Sequence, residues 1–183
     1  MWDTEAGKEL RRFTDENSFD FKAGVFSPTR QRIITCDSGR VGYLEAKVRV
    51  WDAETGIVLA RFVPQPASPI LRVAVSPDAR VALAGSADGT VRLWDLEKEA
   101  SQQPAALTGL HASVSGVAFA PDGKSVAASA VDGKVIVWDA ASGNKRQEWQ
   151  LPGKVSGVAF DEKGRHLATA NANGTIFILR LPE

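Results

Sequence analysis

Apolar and polar residues alternate in short runs along nearly the whole chain. The period is two, as expected of strands that show one face to a core. Val91 and Leu93 flank Arg92, and Val135 and Val137 flank Ile136. Turn chemistry bounds the runs. Pro77-Asp78 and Pro121-Asp122-Gly123 follow one set, where proline presets a dihedral and glycine tolerates positive φ. Asp88-Gly89, Asp132-Gly133 and Asn173-Gly174 precede another, and such pairs predict tight hairpins of type I′. The strands this predicts are residues 73–75, 81–84 and 91–93, then 117–119, 126–128 and 135–137. A further strand between these groups is expected over residues 57–63, 106–108 and 145–151. No stretch has a convincing helical period, and residues 96–103 make a turn or two at most before Pro104. The chain therefore reads as all-β, built of four-stranded antiparallel meanders.

The meanders are copies of one another. "VAVSPDARVALAGSADGTVRLWD" ends at Asp95, "VAFAPDGKSVAASAVDGKVIVWD" at Asp139, and "VAFDEKGRHLATANANGTIFILR" at Arg180. "GVFSPTRQRIITCDSGRVGYLEAKVRVWD" ends at Asp52. Counted from Asp3 through Asp52, Asp95, Asp139 and Arg180, the intervals are 49, 43, 44 and 41 residues. Trp51-Asp52, Trp94-Asp95 and Trp138-Asp139 at this spacing, behind an Asp-Gly turn or its replacement, resemble WD40 repeats. The resemblance covers essentially the whole chain and implies β-propeller blades, four per chain, in repeats 4–52, 53–95, 96–139 and 140–181 of one domain. It also implies that repeat and blade are out of phase, the outermost strand of a blade coming from the start of the next repeat.

That phase gives meaning to the opening "MWDTEAGKEL". Trp2-Asp3 reads as the tail of a blade whose other strands are absent, and Glu9–Phe13 as its outer strand. The last set, ending near Leu181, has no outer strand of its own. Closure within one chain gives four blades at about 90°, whereas rings of seven or eight need roughly 45–51°. Exchange of Glu9–Phe13 between two chains instead gives an eight-bladed homodimer. A third expectation is that the chain is the C-terminal propeller portion of a longer multidomain regulatory protein with a kinase- or protease-like partner domain.

Composition narrows the partners. Of 183 residues, 22 are basic and 22 acidic, a balance that argues against nucleic acid and gives no cationic field for an anionic membrane. Apolar runs are too short to span a bilayer. The single cysteine, Cys36, excludes an internal disulfide framework. The expected setting is cytoplasmic.

No constellation suggests catalysis, a metal or a cofactor. His111 and His166 occupy unlike positions of their repeats, and nothing places Cys36 beside either. The family's buried His–Asp–Ser/Thr–Trp tetrad is incomplete in every copy: Thr35 and Trp51 in the first, Asp88 and Trp94 in the second, Asp132 and Trp138 with His111 near in the third, Thr169 in the fourth. Trp51, Asp52, Asp88, Trp94, Asp95, Asp132, Trp138 and Asp139 therefore read as structural repeat residues. One loop departs from the pattern. Between Cys36 and Trp51 the first copy carries about six extra residues, including Asp37, Arg40, Tyr43 and Glu45, a mixed set suited to protein recognition. The functional expectation is a non-enzymatic scaffold for protein or peptide partners; an enzyme with a channel site using His111 or Asp132 is the minor alternative.

Overall fold

The computed structural model describes residues 1–15, 20–29, 31–39, 46–64, 67–98 and 105–182, and every regular element among them is a strand. Two short strands lead, β1 (Trp2–Asp3) and β2 (Lys8–Glu9), paired with each other. Three four-stranded antiparallel sheets follow. The first holds β3 (Phe21–Phe26), β4 (Arg32–Asp37), β5 (Val48–Asp52) and β6 (Val58–Phe62). The second holds β7 (Ile70–Val75), β8 (Val81–Ser86), β9 (Val91–Asp95) and β10 (Ala105–Leu107). The third holds β11 (Val114–Phe119), β12 (Ser125–Ala130), β13 (Lys134–Asp139) and β14 (Lys145–Gln150). The last sheet has three strands, β15 (Val155–Phe160), β16 (His166–Asn171) and β17 (Ile176–Arg180), and no fourth among the described residues. The expectation of an all-β chain of propeller blades is borne out.

Side chains on both faces of each sheet are apolar, so a sheet is stable only between neighbours. Three buried clusters fill the gaps. Val48, Val50 and Phe62 of the first sheet meet Ile70, Ala82, Ala84 and Trp94 of the second. Leu83, Val91, Leu93 and Leu107 meet Val126, Ala128, Ile136 and Trp138. Ala127, Val135 and Val137 meet Val155 and Leu167, with Phe177 and Leu179 behind them. The first strands β3, β7, β11 and β15 lie against one another in succession, at the narrow side of the stack.

The Asp-Gly turns differ from expectation. Only the glycine of each pair has positive φ, +86° at Gly89, +92° at Gly133 and +79° at Gly174. A type I′ turn needs both central residues there. Instead Gly89 N–H donates to Ser86 O (3.2 Å), and Ser86 N–H donates to Thr90 O (3.0 Å), a three-residue loop ending in a glycine bulge. The aspartate is held by its side chain: Asp88 Oδ1 accepts Thr90 N–H (2.9 Å) and Thr90 O–H (2.6 Å), and Asp132 Oδ1 accepts Lys134 N–H (3.1 Å). Such an Asx bond supplies what a second left-handed residue would have supplied.

A second turn recurs that the pairs alone do not reveal. In "WDTEAG", "WDAETG" and "WDAASG" the aspartate caps the loop to the outer strand. Asp52 Oδ1 accepts Glu54 N–H (3.0 Å) and Thr55 N–H (2.6 Å), Asp139 Oδ1 accepts Ser142 N–H (2.9 Å), and Asp3 Oδ1 accepts Glu5 N–H (2.9 Å) and Ala6 N–H (3.0 Å). The register is the same in all three: Trp2 opposes Glu9, Trp51 opposes Val58, and Trp138 opposes Lys145. Residues 2–9 thus repeat the turn and register of a blade's closing hairpin in geometry as well as sequence. One expectation is corrected in extent. The outer strand read over residues 9–13 is regular only at Lys8–Glu9, because β1 offers two residues to pair with, Met1 alone follows them opposite Leu10 and Arg11, and among the described residues no strand stands opposite residues 12 and 13.

Gly133 and Gly174 share a backbone conformation but not surroundings. A Cβ on Gly133 would strike the carbonyl oxygens of Leu151 and Gly153, where the chain leaves the outer strand, while one on Gly174 would meet nothing. Gly133→Ala is expected to cost about 3 kcal/mol and Gly174→Ala about 1 kcal/mol, read from urea denaturation midpoints. Hydrogen bonds set the titration of the caps. Ser142 N–H, the Ser142 hydroxyl and the Arg146 guanidinium hold Asp139 down to about 2, and Lys134 and Lys145 hold Glu148 at about 2. Both folded values lie below the ordinary 3.8 and 4.5, so the native state binds fewer protons. Their contribution is complete above the ordinary values and is lost as pH falls toward about 2. Asp139→Asn keeps the Oδ1 acceptor but not the titration; its denaturation midpoint is expected to decline less than wild type between pH 4 and pH 2.

Candidate interaction surfaces

The long β4–β5 connection of the first sheet, residues 38–47, replaces the short loops 87–90, 131–133 and 172–175 of the others. Its base is built on a buried charge. β5 turns Arg49 inward, with no exposure, to a site where β13 carries Ile136. Arg49 Nη1 donates to Asp37 Oδ2, and Arg49 Nε donates to Asp15 Oδ2 (2.8 Å). The Phe21 ring lies 5.6 Å from the guanidinium carbon. Asp37 is 1% exposed, and its Oδ1 accepts Gly39 N–H and Lys47 N–H, each at 3.0 Å. One carboxylate therefore clamps both ends of the connection and neutralises Arg49, as a charge in so dry a site requires. Asp37 holds the base of the loop, with its oxygens engaged inside the protein. Arg40, Tyr43 and Glu45 lie outside the described residues.

Asp15 binds the leading segment to the first sheet. Besides Arg49 it accepts Arg61 Nε–H (3.1 Å). Arg11 Nη1 donates to Thr55 O (2.8 Å), and the Phe13 ring meets the edge of Trp51 at 5.9 Å and 82°. Phe62 lies against Trp94 at 6.3 Å, tilted at 49°. Leu107 and Trp138 share one cluster, and Trp149 packs in the cluster of Leu179. Phe62, Leu107 and Trp149 stand opposite Val48, Val91 and Val135 of their own sheets, and each lies with the tryptophan of the following sheet or the leucine that replaces it. This gives Trp149 its place, between sheets. Neither Arg49 nor Asp15 was marked by the sequence pattern. "VRVWD" and "VRLWD", against "VIVWD", hold the available signal: an arginine where a buried isoleucine also fits.

The remaining repeat residues do structural work. Trp51, Trp94 and Trp138 are buried, and Asp52, Asp88, Asp95, Asp132 and Asp139 cap turns. Trp51 Nε1–H donates to Thr35 Oγ1 (2.8 Å), and Trp138 Nε1–H donates to Thr108 O (3.0 Å). His111 is exposed, and His166 Nδ1 lies 3.3 Å from Asp161 Oδ2 in a surface turn. Burial pushes the Cys36 thiol up to about 12, which keeps it protonated. Among the described residues no three His, Cys, Asp or Glu side chains gather as metal ligands, and no helix is long and apolar enough to cross a membrane.

The two ends of the stack form a second surface. Large exposed apolar side chains among the described residues are Met1, Trp2, Leu10, Phe21, Phe26, Ile57 and Leu59 at one end, and Ile176 and Ile178 at the other. None lies in the second or third sheet. Val48, Val91 and Val135 are fully buried, whereas Ile176, at the same register, is 70% exposed. A cleft of about 890 Å³ opens beside the leading hairpin, lined by Met1, Phe26, Arg32, Asp52 and Leu59.

A protein-family model described as "WD domain, G-beta repeat" matches residues 58–95, 104–139 and 145–179, more than half of the chain. The matched segments run from an outer strand to the third strand of the next sheet, which is the phase the structure shows. No curated protein matches the chain.

Removing Asp15 leaves Arg49 short of one partner in a dry site. Asp15→Ala is expected to lower stability by about 3 kcal/mol, and Arg61→Ala, at a half-exposed pair, by about 0.5 kcal/mol, both read from urea denaturation.

Proposed function

The chain belongs to the WD40 repeat family, and from that premise we propose that it acts in the cytoplasm as a non-enzymatic scaffold for a protein or peptide partner. Proteins of this family serve in general as interaction scaffolds and bind proteins or peptides. The observation that carries the reading for this chain is the β4–β5 connection. A loop of this length costs ordering entropy that a hairpin does not require. Here its two ends are fixed on buried Asp37, so the segment is presented from a rigid base. Arg40, Tyr43 and Glu45 are the proposed contacts, and no nucleic acid, membrane or cofactor enters the proposal. The scaffold is completed by a second copy through the strand at residues 9–13. A second reading, the propeller portion of a longer regulatory protein, draws on residues 2–13 repeating the closing hairpin of a blade.

The test compares immobilised wild-type chain with a variant carrying Arg40→Ala, Tyr43→Ala and Glu45→Ala, and with Lys163→Ala as a surface control. Proteins held by wild type and control, identified by mass spectrometry, are expected to be lost by at least about tenfold from the triple variant. Retention of the same proteins by all three removes the loop from the binding surface.

A further inference from the structure

We infer that β17 of one copy pairs in a single register with the outer strand of a second copy, Leu179 opposite Glu9, Ile178 opposite Arg11, Phe177 opposite Arg12 and Ile176 opposite Phe13. The inference rests on the two-copy completion proposed above and specifies its contact. Three observations on the fold support it.

The donor strand already stands where an outer strand belongs. "WDTEAGKELRRF" and "WDAETGIVLARF" share tryptophan, aspartate, glutamate, glycine, leucine, arginine and phenylalanine at the same steps. Phe13 is seated on Trp51 as Phe62 is on Trp94, while Arg11 and Asp15 tie the strand to the first sheet. Met1 alone stands opposite Leu10 and Arg11, its carbonyl accepting both N–H groups, and would move away with β1; among the described residues no strand pairs with residues 12 and 13.

The acceptor strand lacks what this donor offers. Among the described residues β17 has β16 on one edge and no strand on the other, and residues 9–13 of the same copy are not paired with it. An open edge of five residues with bare isoleucines invites one more strand. Two complete sheets set the register: Val50 opposes Ala60 and Arg49 opposes Arg61 in the first, Val137 opposes Gln147 and Ile136 opposes Glu148 in the third. Transferred to the open positions, these give the pairs stated. The bulge at Leu59 and Arg146 falls on Leu10.

The flanks match. Val135 and Val137 face Val155, Leu167 and Phe160 of the following sheet. The corresponding positions of the first sheet are Phe21, Ile33 and Phe26, two of which are exposed. Ile176 and Ile178 of one copy therefore meet an apolar seat on the other, and the seat is the same type of surface that already joins sheets within the copy. β1 gives way, because Trp2–Asp3 occupies the place of Leu179 and Arg180.

The experiment uses full-length chains. Arg11→Cys and Ile178→Cys chains are mixed and oxidised; Cys36 is buried and does not compete. A disulfide-linked pair is expected, at least about tenfold above the yield from Arg12→Cys mixed with Ile178→Cys, whose side chains point to opposite faces. Light scattering on wild type is expected to give about twice 19.6 kDa. Ile178→Asp, at a site exposed in the single copy, is expected to return the mass to 19.6 kDa without loss of β-sheet circular dichroism. A doubled mass with no register preference in the cross-link overturns this pairing and leaves two-copy completion standing. A link formed within one chain carrying both cysteines, at the mass of a single copy, overturns the second copy as occupant. A soluble single-copy mass with no cross-link overturns both.

Discussion

The structure depends on sheets that are apolar on both faces. A half-solvated antiparallel sheet alternates apolar and polar residues and stands against a single layer; here the third strands carry Val135 and Val137 on one side and Ile136 and Trp138 on the other, all buried. Such a sheet gains stability only as one slice of a stack, because each exposed face leaves several large side chains in water. The three buried clusters are the three joints of the stack, and the outer-strand residues Phe62, Leu107 and Trp149 lie one in each, while Phe13 takes the same place ahead of the first sheet. Two kinds of surface result: apolar faces at the end sheets, and polar turns at the rims capped by aspartates such as Asp52, Asp88 and Asp139.

Much of this was legible in the residues. Period-two runs, Pro-Asp and Asp-Gly turns and a recurrence of forty-odd residues determine strands, meanders and blades, because each is a local consequence of backbone and side-chain geometry. The phase of blade against repeat came with the resemblance to WD40 repeats, and it gave Trp2-Asp3 its meaning. What the chain did not disclose locally was long-range or a matter of dihedral detail. Asp-Gly is compatible with a two-residue turn or with a bulged three-residue loop, and Thr90 and Lys134 after the glycine, which donate to the aspartate, settle it. The pairing of Arg49 with Asp15 and Asp37 joins residues from three parts of the sequence, and no spacing rule connects them. Asp37 looked like one polar residue of a variable loop; its burial follows from Arg49, which is visible only once β4 and β5 are side by side.

Charge inside an otherwise apolar joint has a physical role of its own. Where the third sheet carries Ile136 and the last carries Phe177, the first carries Arg49, neutralised by carboxylates from two segments. Apolar contacts tolerate sliding, whereas an arginine held by two carboxylates fixes direction and depth. The same group that seats the leading segment also closes the base of the variable loop, so the rim and the joint share one anchor.

The second strand of the middle sheets is rich in small residues, Ala82 and Ala84 in β8, Ala127, Ala128 and Ala130 in β12, and a Cβ on Gly116 of β11 would strike the Gly157 backbone of β15. Tryptophan, phenylalanine and leucine fill the same joints farther out. Each slice is accordingly a wedge, thin at its inner margin and thick at its rim, and the taper fixes how sharply the row curves. Methyl groups added along the thin margin would straighten the row toward a helical ribbon, and volume removed from the rim would do the same. How sharply the row turns from slice to slice is therefore inscribed in the alanines, the residues with the smallest side chains to read.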